Sequence, residues 1–235
     1  MANNIMILPK IDHEFHKELI DNSGLQGNVY RYSDTLVYKE YKTDSFNLPQ
    51  LELLTNQKSK LIAYPKILVF EKEYSKKCFR GYLSDFIEGK VIYNLDGRLL
   101  LNEFINALEE FEKEVINVSR RGIVMHDMHQ ENIILTPNNS LVAIDTDMFE
   151  VTYDYEIWVL RNNMKELGET IISELVTLAK LESEKLNNLI NDCGAYGRIK
   201  PSNLLREFIS YFEQRMFKTE TVSDFKNGVQ LIKRR

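Results

Sequence analysis

Residues 125–132 read Met125-His126-Asp127-Met128-His129-Gln130-Glu131-Asn132, and residues 142–145 read Val142-Ala143-Ile144-Asp145. An Asp and an Asn stand five positions apart, and a second Asp follows thirteen positions later at the end of an apolar run. This set suits phosphoryl transfer from a Mg²⁺-bound nucleotide, because the first Asp orients the acceptor hydroxyl and accepts its proton. The Asn oxygen and the second Asp hold the metal ions that bridge the phosphates. The pattern predicts Asp127 as a catalytic residue, with Asn132 and Asp145 as metal ligands.

Apolar runs flank these polar residues and predict a β-hairpin. Residues 123–124 lead into the loop, residues 133–135 leave it, and residues 141–144 carry the chain to the second Asp. Residues 137–140 contain Pro, Asn and Ser, which are typical of turns. A surface loop that is merely rich in Asp, His and Asn does not explain why a carboxylate follows each strand-like run.

The composition is that of an ordinary globular protein, with 43% hydrophobic and 28% charged residues. The length of 235 residues allows one large domain or two smaller lobes. A formal charge of −5 gives no reason to expect nucleic acid or an anionic membrane as a partner. Cys78 and Cys193 lack metal-ligand spacing and favour a reducing compartment, and no apolar run approaches the roughly 18 residues that cross a bilayer. We therefore expect a cytoplasmic protein, and its oligomeric state stays open.

The first third of the chain reads mainly as β-strands, and the remainder reads mainly as helix. Short β-branched or aromatic runs predict strands at residues 27–32, 35–41, 66–70 and 79–86, with one helix over residues 48–60. Apolar residues at three- and four-residue spacings from Leu99 to Ile116 predict a long helix that ends before Gly122, and further helices near residues 163–180, 183–192 and 202–216. The sequence therefore predicts an α+β protein, with a small antiparallel sheet followed by a mainly helical part.

A candidate phosphate-binding loop lies at residues 22–29, which read Asn22-Ser23-Gly24-Leu25-Gln26-Gly27-Asn28-Val29. The segment matches the pattern G-x-G-x-x-G-x-V, except that Asn22 replaces the first Gly. Glycines allow backbone N–H groups to approach phosphate oxygens without obstruction by a Cβ atom. Two glycines in a hairpin usually form only a turn. The prediction that Gly24, Gly27 and Val29 bind a nucleotide therefore depends on the motifs that follow.

Ten residues beyond Val29, the run Val37-Tyr38-Lys39 resembles the third-strand V-A-I-K motif of the protein-kinase-like superfamily. The loop at residues 125–132 and Asp145 resemble the catalytic loop and the metal-binding Asp of the same superfamily. The resemblance implies that the Lys39 ammonium contacts the α- and β-phosphates and pairs with a helix Glu. Glu52 is the best candidate for this Glu, while Glu40 and Glu71 stay open.

Residues 85–89 resemble the hinge whose backbone groups hydrogen-bond the adenine edge, which implicates Asp85 and Ile87. In the same register Ser84 is the gatekeeper, Val29 and Val37 cover the base, and Ile134 lies beneath it.

The resemblance covers nearly two-thirds of the chain and implies a bilobal protein-kinase-like fold. Residues 1–84 form the N-lobe, residues 85–89 the hinge, and residues 90–235 a helical C-lobe that carries the catalytic loop. The implied cofactors are ATP, bound in the interlobe cleft, and Mg²⁺.

Several positions depart from the usual pattern of protein kinases. His126 replaces the Arg that usually precedes the catalytic Asp, and Asn163 stands where a helix Asp often braces the catalytic loop. His129 resembles the equivalent residue of aminoglycoside and choline phosphotransferases. Asp145-Thr146-Asp147 replaces Asp-Phe-Gly, and the alternation of side chains in an extended segment predicts that Asp147 is a loop residue rather than a metal ligand.

The leading prediction is an atypical Ser/Thr protein kinase that transfers the γ-phosphate of ATP to a hydroxyl of a protein. The first alternative is a small-molecule kinase of the aminoglycoside and choline phosphotransferase type, which His129 favours. The second is a catalytically silent kinase-like binding module, which Asn22, His126 and the Asp-Thr-Asp variant favour.

Overall fold

The computed structural model describes residues 4–11, 13–16, 18–21, 26–93, 95–176 and 180–233. Within these ranges the protein is a mixed α+β structure with a six-stranded sheet and six α-helices. It divides into two compact units. Unit 1 combines the chain up to Ile87 with the segment Ile144–Val151, and unit 2 combines Glu88–Ala143 with the chain from Thr152 onward. None of the described helices is long and apolar enough to span a membrane.

The sheet of unit 1 contains six strands in the order β1-β5-β6-β4-β3-β2. The strands are Ile5–Leu8 (β1), Glu18–Asp21 (β2), Gly27–Arg31 (β3), Leu36–Tyr41 (β4), Ile67–Glu71 (β5) and Phe79–Asp85 (β6). β1 pairs with β5 in parallel, and the other neighbours are antiparallel. The four predicted strands are confirmed to within one residue at each end. β1 and β2 were not predicted, because edge strands of four residues rely on pairing with a neighbour rather than on a pattern of their own.

Alternate residues of these strands build two apolar layers, one on each face of the sheet. On one face the helix Leu48–Leu54 (α1) packs its buried residues against the sheet, and this layer contains Leu48, Leu51, Leu68, Phe70, Phe79 and Tyr82. The opposite layer contains Phe15, Tyr38, Val69 and Leu83.

The helix α1 is shorter than the predicted span of residues 48–60. The Thr55 hydroxyl and the Asn56 amide both donate to the Glu52 carbonyl, at 2.8 and 3.0 Å. Side chains of this type compete with the backbone for helical hydrogen bonds, so they end the helix after its second turn.

The segment Ile144–Val151, which includes the short strand Glu150–Val151 (β11), belongs to unit 1 although the predicted boundaries placed it in the helical lobe. The Thr146 hydroxyl donates to the Ala63 carbonyl at 3.0 Å. Further along, the Val151 N–H donates to the Gln50 side chain at 3.0 Å. These contacts are distant in sequence, which is why the boundary was not visible in the pattern.

Unit 2 is mainly helical. Its helices are Leu101–Arg120 (α2), Glu156–Ile171 (α3), Glu184–Ile190 (α4), Pro201–Glu213 (α5) and Val222–Leu231 (α6). Its strands are Lys90–Val91 (β7), Ile123–Val124 (β8), Ile133–Leu135 (β9) and Leu141–Ala143 (β10). β9 and β10 form the predicted hairpin, with Leu135 opposite Leu141 and Ile133 opposite Ala143.

Two helices of unit 2 differ from the prediction. α3 begins seven residues earlier than expected, and α6 was not predicted at all. α6 carried a readable signal, because Thr221 and Asp224 form a capping box at its N-terminus and Val222, Phe225 and Val229 recur on its buried side.

A buried carboxylate links α2 to the start of α5. Glu112 lies on the buried stripe of α2 and accepts hydrogen bonds from the Ser202 N–H and hydroxyl, both at 2.7 Å. Burial raises the pKa of Glu112, and the two Ser202 hydrogen bonds oppose this shift. Because the first N–H groups of a helix have no partner within the helix, Glu112 caps α5 from a neighbouring element.

We predict that Glu112→Ala lowers the free energy of unfolding by about 2 kcal/mol, because it leaves two buried donors of Ser202 without a partner. Chemical denaturation measures this loss. Glu110→Ala on the exposed side of α2 is the matched control and should leave the midpoint nearly unchanged. Equal effects of the two substitutions would contradict the capping role.

Candidate functional site

Lys39 lies on a face of the unit 1 sheet that it shares with several predicted nucleotide-binding residues. Val29 and Tyr82 are its partners on the neighbouring strands β3 and β6. Val37 lies opposite Ser84, and this pair is on the same face, two residues along the strands from the pair of Lys39 and Tyr82. Cross-strand partners point to the same side of a sheet, so the register brings these predicted residues together.

The predicted phosphate loop is described only in part. Gly24 and the rest of residues 22–25 lie outside the described residues, whereas Gly27 begins β3. A Cβ atom at Gly27 would come within 2.5 Å of the Glu40 carbonyl oxygen, so the close approach of β3 and β4 requires glycine there.

Five side chains of unit 1 form what we call the lysine cluster: Lys39, Tyr41, Tyr82, Asp145 and Asp147. The buried Lys39 ammonium donates to Asp145 Oδ1 and to the Asp147 carboxylate, with distances of 3.0 Å to Oδ2 and 3.2 Å to Oδ1. The Tyr41 hydroxyl donates to Asp147 Oδ2, and the Tyr82 hydroxyl donates to Asp145 Oδ1 at 3.3 Å. The cluster therefore combines one cation, two carboxylates and two hydroxyl donors.

The electrostatics of the cluster favour the protonated forms of Lys39, Tyr41 and Tyr82, which are the hydrogen-bond donors in these contacts. Burial lowers the pKa of Lys39, but the charges of Asp147 and Asp145 outweigh this effect, so the pKa is raised overall and the ammonium persists. Burial raises the pKa of both tyrosines, and the adjacent carboxylates raise it further. Burial and the neighbouring Asp145 also raise the pKa of Asp147, while Lys39 opposes them.

The predicted pair between Glu52 and Lys39 does not form in the structure. Glu52 accepts a hydrogen bond from the Tyr74 hydroxyl. The two alternatives are also engaged elsewhere, since Glu40 lies 3.2 Å from the His16 ring and Glu71 lies 2.8 Å from Arg80. The carboxylates that bind Lys39 come instead from the segment Ile144–Val151.

The premise that alternation turns the side chains of Asp145 and Asp147 to opposite sides is wrong, whereas the expectation that Asp147 is not a metal ligand stays a prediction. The Asp147 side chain is only 2% exposed and binds Lys39 and Tyr41. The premise rested on the alternation of an extended chain, but Asp145 adopts φ 53° and is followed by a short 3₁₀ turn, Thr146–Met148. This geometry turns the two carboxylates toward the same ammonium.

The second group of predicted residues lies in the loop of unit 2. Asp127 adopts a left-handed conformation with φ 59°, which is uncommon for a residue other than glycine, and its side chain is 50% exposed. The Asn132 amide donates to the Asp127 carbonyl at 2.9 Å. With the amide nitrogen engaged, the carboxamide oxygen is the atom suited to a hard cation. His129 Nε2 lies 3.8 Å from Asp127 Oδ1.

Asn163 of α3 holds the chain that enters this loop. Its side-chain oxygen accepts from the Met125 N–H at 2.7 Å, and its amide donates to the Ile123 carbonyl at 2.8 Å and to the Ser119 hydroxyl at 2.9 Å. Asn163 is fully buried, so these bonds form away from solvent. The Thr170 hydroxyl, also from α3, donates to the Met128 carbonyl just after Asp127.

A cavity of about 550 Å³ opens beside Asp127, entirely within unit 2. Its polar lining includes Asp127, His129, Gln130, Glu166, Glu169 and Thr170, and its apolar lining includes Ile172 and Ile190. Burial raises the pKa of Glu166, and the nearby Glu169 raises it further. A volume of this size is within the range of roughly 300–1,000 Å³ typical of small-molecule sites.

The remaining predicted nucleotide-binding residues lie near the passage from unit 1 to unit 2, which the chain makes between Ile87 and Glu88. The Asp85 carboxylate pairs with Lys66, and Ile87 is half-buried. Ile134 is buried in β9, where its side chain and the Leu135 carbonyl leave no space for a Cβ atom at Gly89.

Comparison of the sequence with protein-family models and with curated proteins finds no match. The functional assignment of these residues therefore rests on their geometry and chemistry.

We predict that Asn163→Ala lowers the free energy of unfolding by about 3 kcal/mol, because three buried backbone and hydroxyl groups lose their partner. Amide hydrogen exchange should accelerate at Met125, whose N–H donates to Asn163. Asn188→Ala, an exposed helical position in the same unit, is the matched control and should change neither quantity. Unchanged exchange at Met125 in Asn163→Ala would contradict the bracing role.

Proposed function

We propose that the protein is an ATP- and Mg²⁺-dependent phosphotransferase that transfers the γ-phosphate to a hydroxyl. In this proposal its two units are the two lobes of a protein-kinase-like fold. The observation that carries the proposal is the hydrogen bond from the buried Lys39 to Asp145, two residues 106 positions apart in the sequence. A fixed cation beside a carboxylate is the arrangement on which phosphoryl transfer depends.

Unit 1 supplies the phosphate-binding groups. Lys39 neutralises phosphate charge, and Val29 and Val37 on the same sheet face cover the base. Asp145 is suited to metal binding because its side chain is 35% exposed, so the carboxylate is open to a ligand while Lys39 and Tyr82 orient it. In unit 1 Asp145 is the residue suited to hold Mg²⁺, which would supply positive charge to the phosphate oxygens.

Unit 2 supplies the groups that act on the acceptor. Asp127 has a half-exposed carboxylate on a loop that Asn163 and Thr170 hold in place. It orients the acceptor hydroxyl and accepts its proton, a role that needs an accessible carboxylate with a restrained backbone. The hydrogen bond from the Asn132 side-chain amide to the Asp127 carbonyl fixes the positions of these two residues relative to each other.

The acceptor is either a protein, as the spacing of the motifs predicts, or a small molecule. The cavity of about 550 Å³ beside Asp127 favours the small molecule, because a concave site with a few convergent polar groups is typical of small-ligand binding. His129 lines this cavity and is the residue that resembles aminoglycoside and choline phosphotransferases.

We predict that Mg²⁺ and ATP together raise the melting temperature of the protein, and that Asp145→Asn abolishes this rise. At a hundred times its dissociation constant, a ligand adds about 2.7 kcal/mol to the free energy of unfolding, which is several degrees for a chain of this size. Differential scanning fluorimetry with ATP alone, Mg²⁺ alone and both together measures the effect.

Asp127→Ala is the companion variant in that experiment. It should retain the Mg²⁺-dependent shift but lose transfer by at least about a hundredfold, since a general base contributes that much. If millimolar ATP does not change the melting temperature of the wild-type protein, the result would favour the second alternative, a catalytically silent kinase-like binding module.

We predict that Ala195→Trp weakens the binding of a small acceptor in the cavity beside Asp127. Ala195 is an exposed residue that lines the cavity, so the indole fills the cavity without disturbing the core. For a small acceptor identified by ATP consumption among alcohols, sugars and aminoglycosides, the KM of the acceptor should rise severalfold while the KM of ATP stays constant. A small acceptor whose KM is unaffected would show that the cavity is not its site.

A further inference from the structure

We propose that Asp147 is the residue that positions Lys39, a role that the resemblance assigns to a helix Glu. The buried carboxylate of Asp147 binds the Lys39 ammonium from the short turn directly after Asp145. The inference rests on the proposed function of the lysine cluster as a phosphate site. It deepens that function by assigning a residue that the sequence motifs did not identify.

The first support is the geometry of the contact. Both oxygens of Asp147 lie within hydrogen-bond distance of Lys39 Nζ, at 3.0 and 3.2 Å. The Tyr41 hydroxyl donates to Asp147 Oδ2, so the carboxylate is itself held in place. A side chain that is oriented by a partner and engages the ammonium with two oxygens restricts where Lys39 points.

The second support is the difference in exposure between the two carboxylates. The Asp147 side chain is 2% exposed, whereas that of Asp145 is 35% exposed. Only Asp145 is open enough to contact a ligand as well as Lys39. The two carboxylates therefore have different roles in this proposal. Asp145 is exposed enough to contact a ligand, and Asp147 holds Lys39 from the buried side.

The third support is that the expected helix partner is occupied. Glu52 lies in the seven-residue helix α1 and binds the Tyr74 hydroxyl. A buried ammonium without a counter-charge is strongly unfavourable, so some carboxylate must take this place. Asp147 does so from the turn Thr146–Met148, which Thr146 anchors to the Ala63 carbonyl.

This arrangement has a mechanical consequence. The position of Lys39 and the position of Asp145 depend on one turn, because Asp145 directly precedes the turn Thr146–Met148 and Asp147 lies within it. The lysine contact therefore depends on this turn rather than on a carboxylate of α1.

The first part of the test measures the pairing without any nucleotide. Thermal unfolding of Lys39→Met, Asp147→Asn and the double variant forms a double-mutant cycle, and the same cycle is repeated with Lys39→Met and Glu52→Gln. We expect clear non-additivity for Asp147, because either single variant breaks the same buried ion pair and leaves Lys39 with Asp145 alone or Asp147 with only the Tyr41 hydroxyl. We expect additivity for Glu52. Additivity in the Asp147 cycle, or stronger coupling in the Glu52 cycle, would overturn the proposal.

The second part measures the dissociation constant of ATP with Mg²⁺ by calorimetry. Asp147→Asn should raise this constant by roughly tenfold or more, a size typical for loss of a supporting partner in a binding site. Tyr41→Phe keeps the ring but removes the donor to Asp147, so it should act in the same direction to a smaller extent. Asp44→Asn, an exposed Asp of unit 1, makes the same chemical change at a distance and should have no effect.

The outcomes separate this inference from the proposed function. If the wild-type protein binds ATP and Asp147→Asn and Tyr41→Phe bind it equally well, Asp147 has no positioning role and the phosphotransferase proposal stands. If the wild-type protein binds no nucleotide, the proposed function fails, and with it the role assigned to Asp147.

Discussion

Unit 1 depends on the burial of a single ammonium group. The transfer of a charged Lys side chain out of water is unfavourable unless carboxylates and hydrogen bonds compensate for the lost hydration. The compensation at Lys39 comes from Asp145 and Asp147, and the hydroxyls of Tyr41 and Tyr82 each donate a hydrogen bond to one of these carboxylates. The cluster therefore joins β4, β6 and the segment Ile144–Val151, and it explains why this segment belongs with the sheet.

Unit 2 applies the same principle to buried backbone and hydroxyl groups. Asn163 satisfies three buried groups around the entry to the loop that carries Asp127, and Glu112 caps the first turn of α5. Buried polar groups need partners, and a side chain that satisfies several of them at once fixes the relative position of the elements that it joins. Asp127 is thus carried on a restrained backbone although its own side chain is half-exposed.

Local patterns were sufficient for the central strands, for most of the helices and for the loop that carries Asp127 and Asn132. The four central strands and the long helix α2 follow from periodicities of two and 3.6 residues, which are properties of consecutive residues. The role of Asn163 was also suggested by its position in the motif order. The partner of Lys39 was not predictable in this way, because Glu52 has the appropriate spacing but turns toward Tyr74.

The sequence by itself determined the α+β class, the hairpin of β9 and β10 and the identity of Asp127, Asn132, Asp145 and Lys39 as the residues of interest. The tertiary structure alone decided which carboxylates bind Lys39, how the segment Ile144–Val151 is assigned, and where a cavity opens beside Asp127. The physical reason is that periodicity and turn chemistry act between near neighbours in the chain. Burial of a charge, in contrast, selects its partners by distance in space, and here it selected carboxylates more than a hundred positions away.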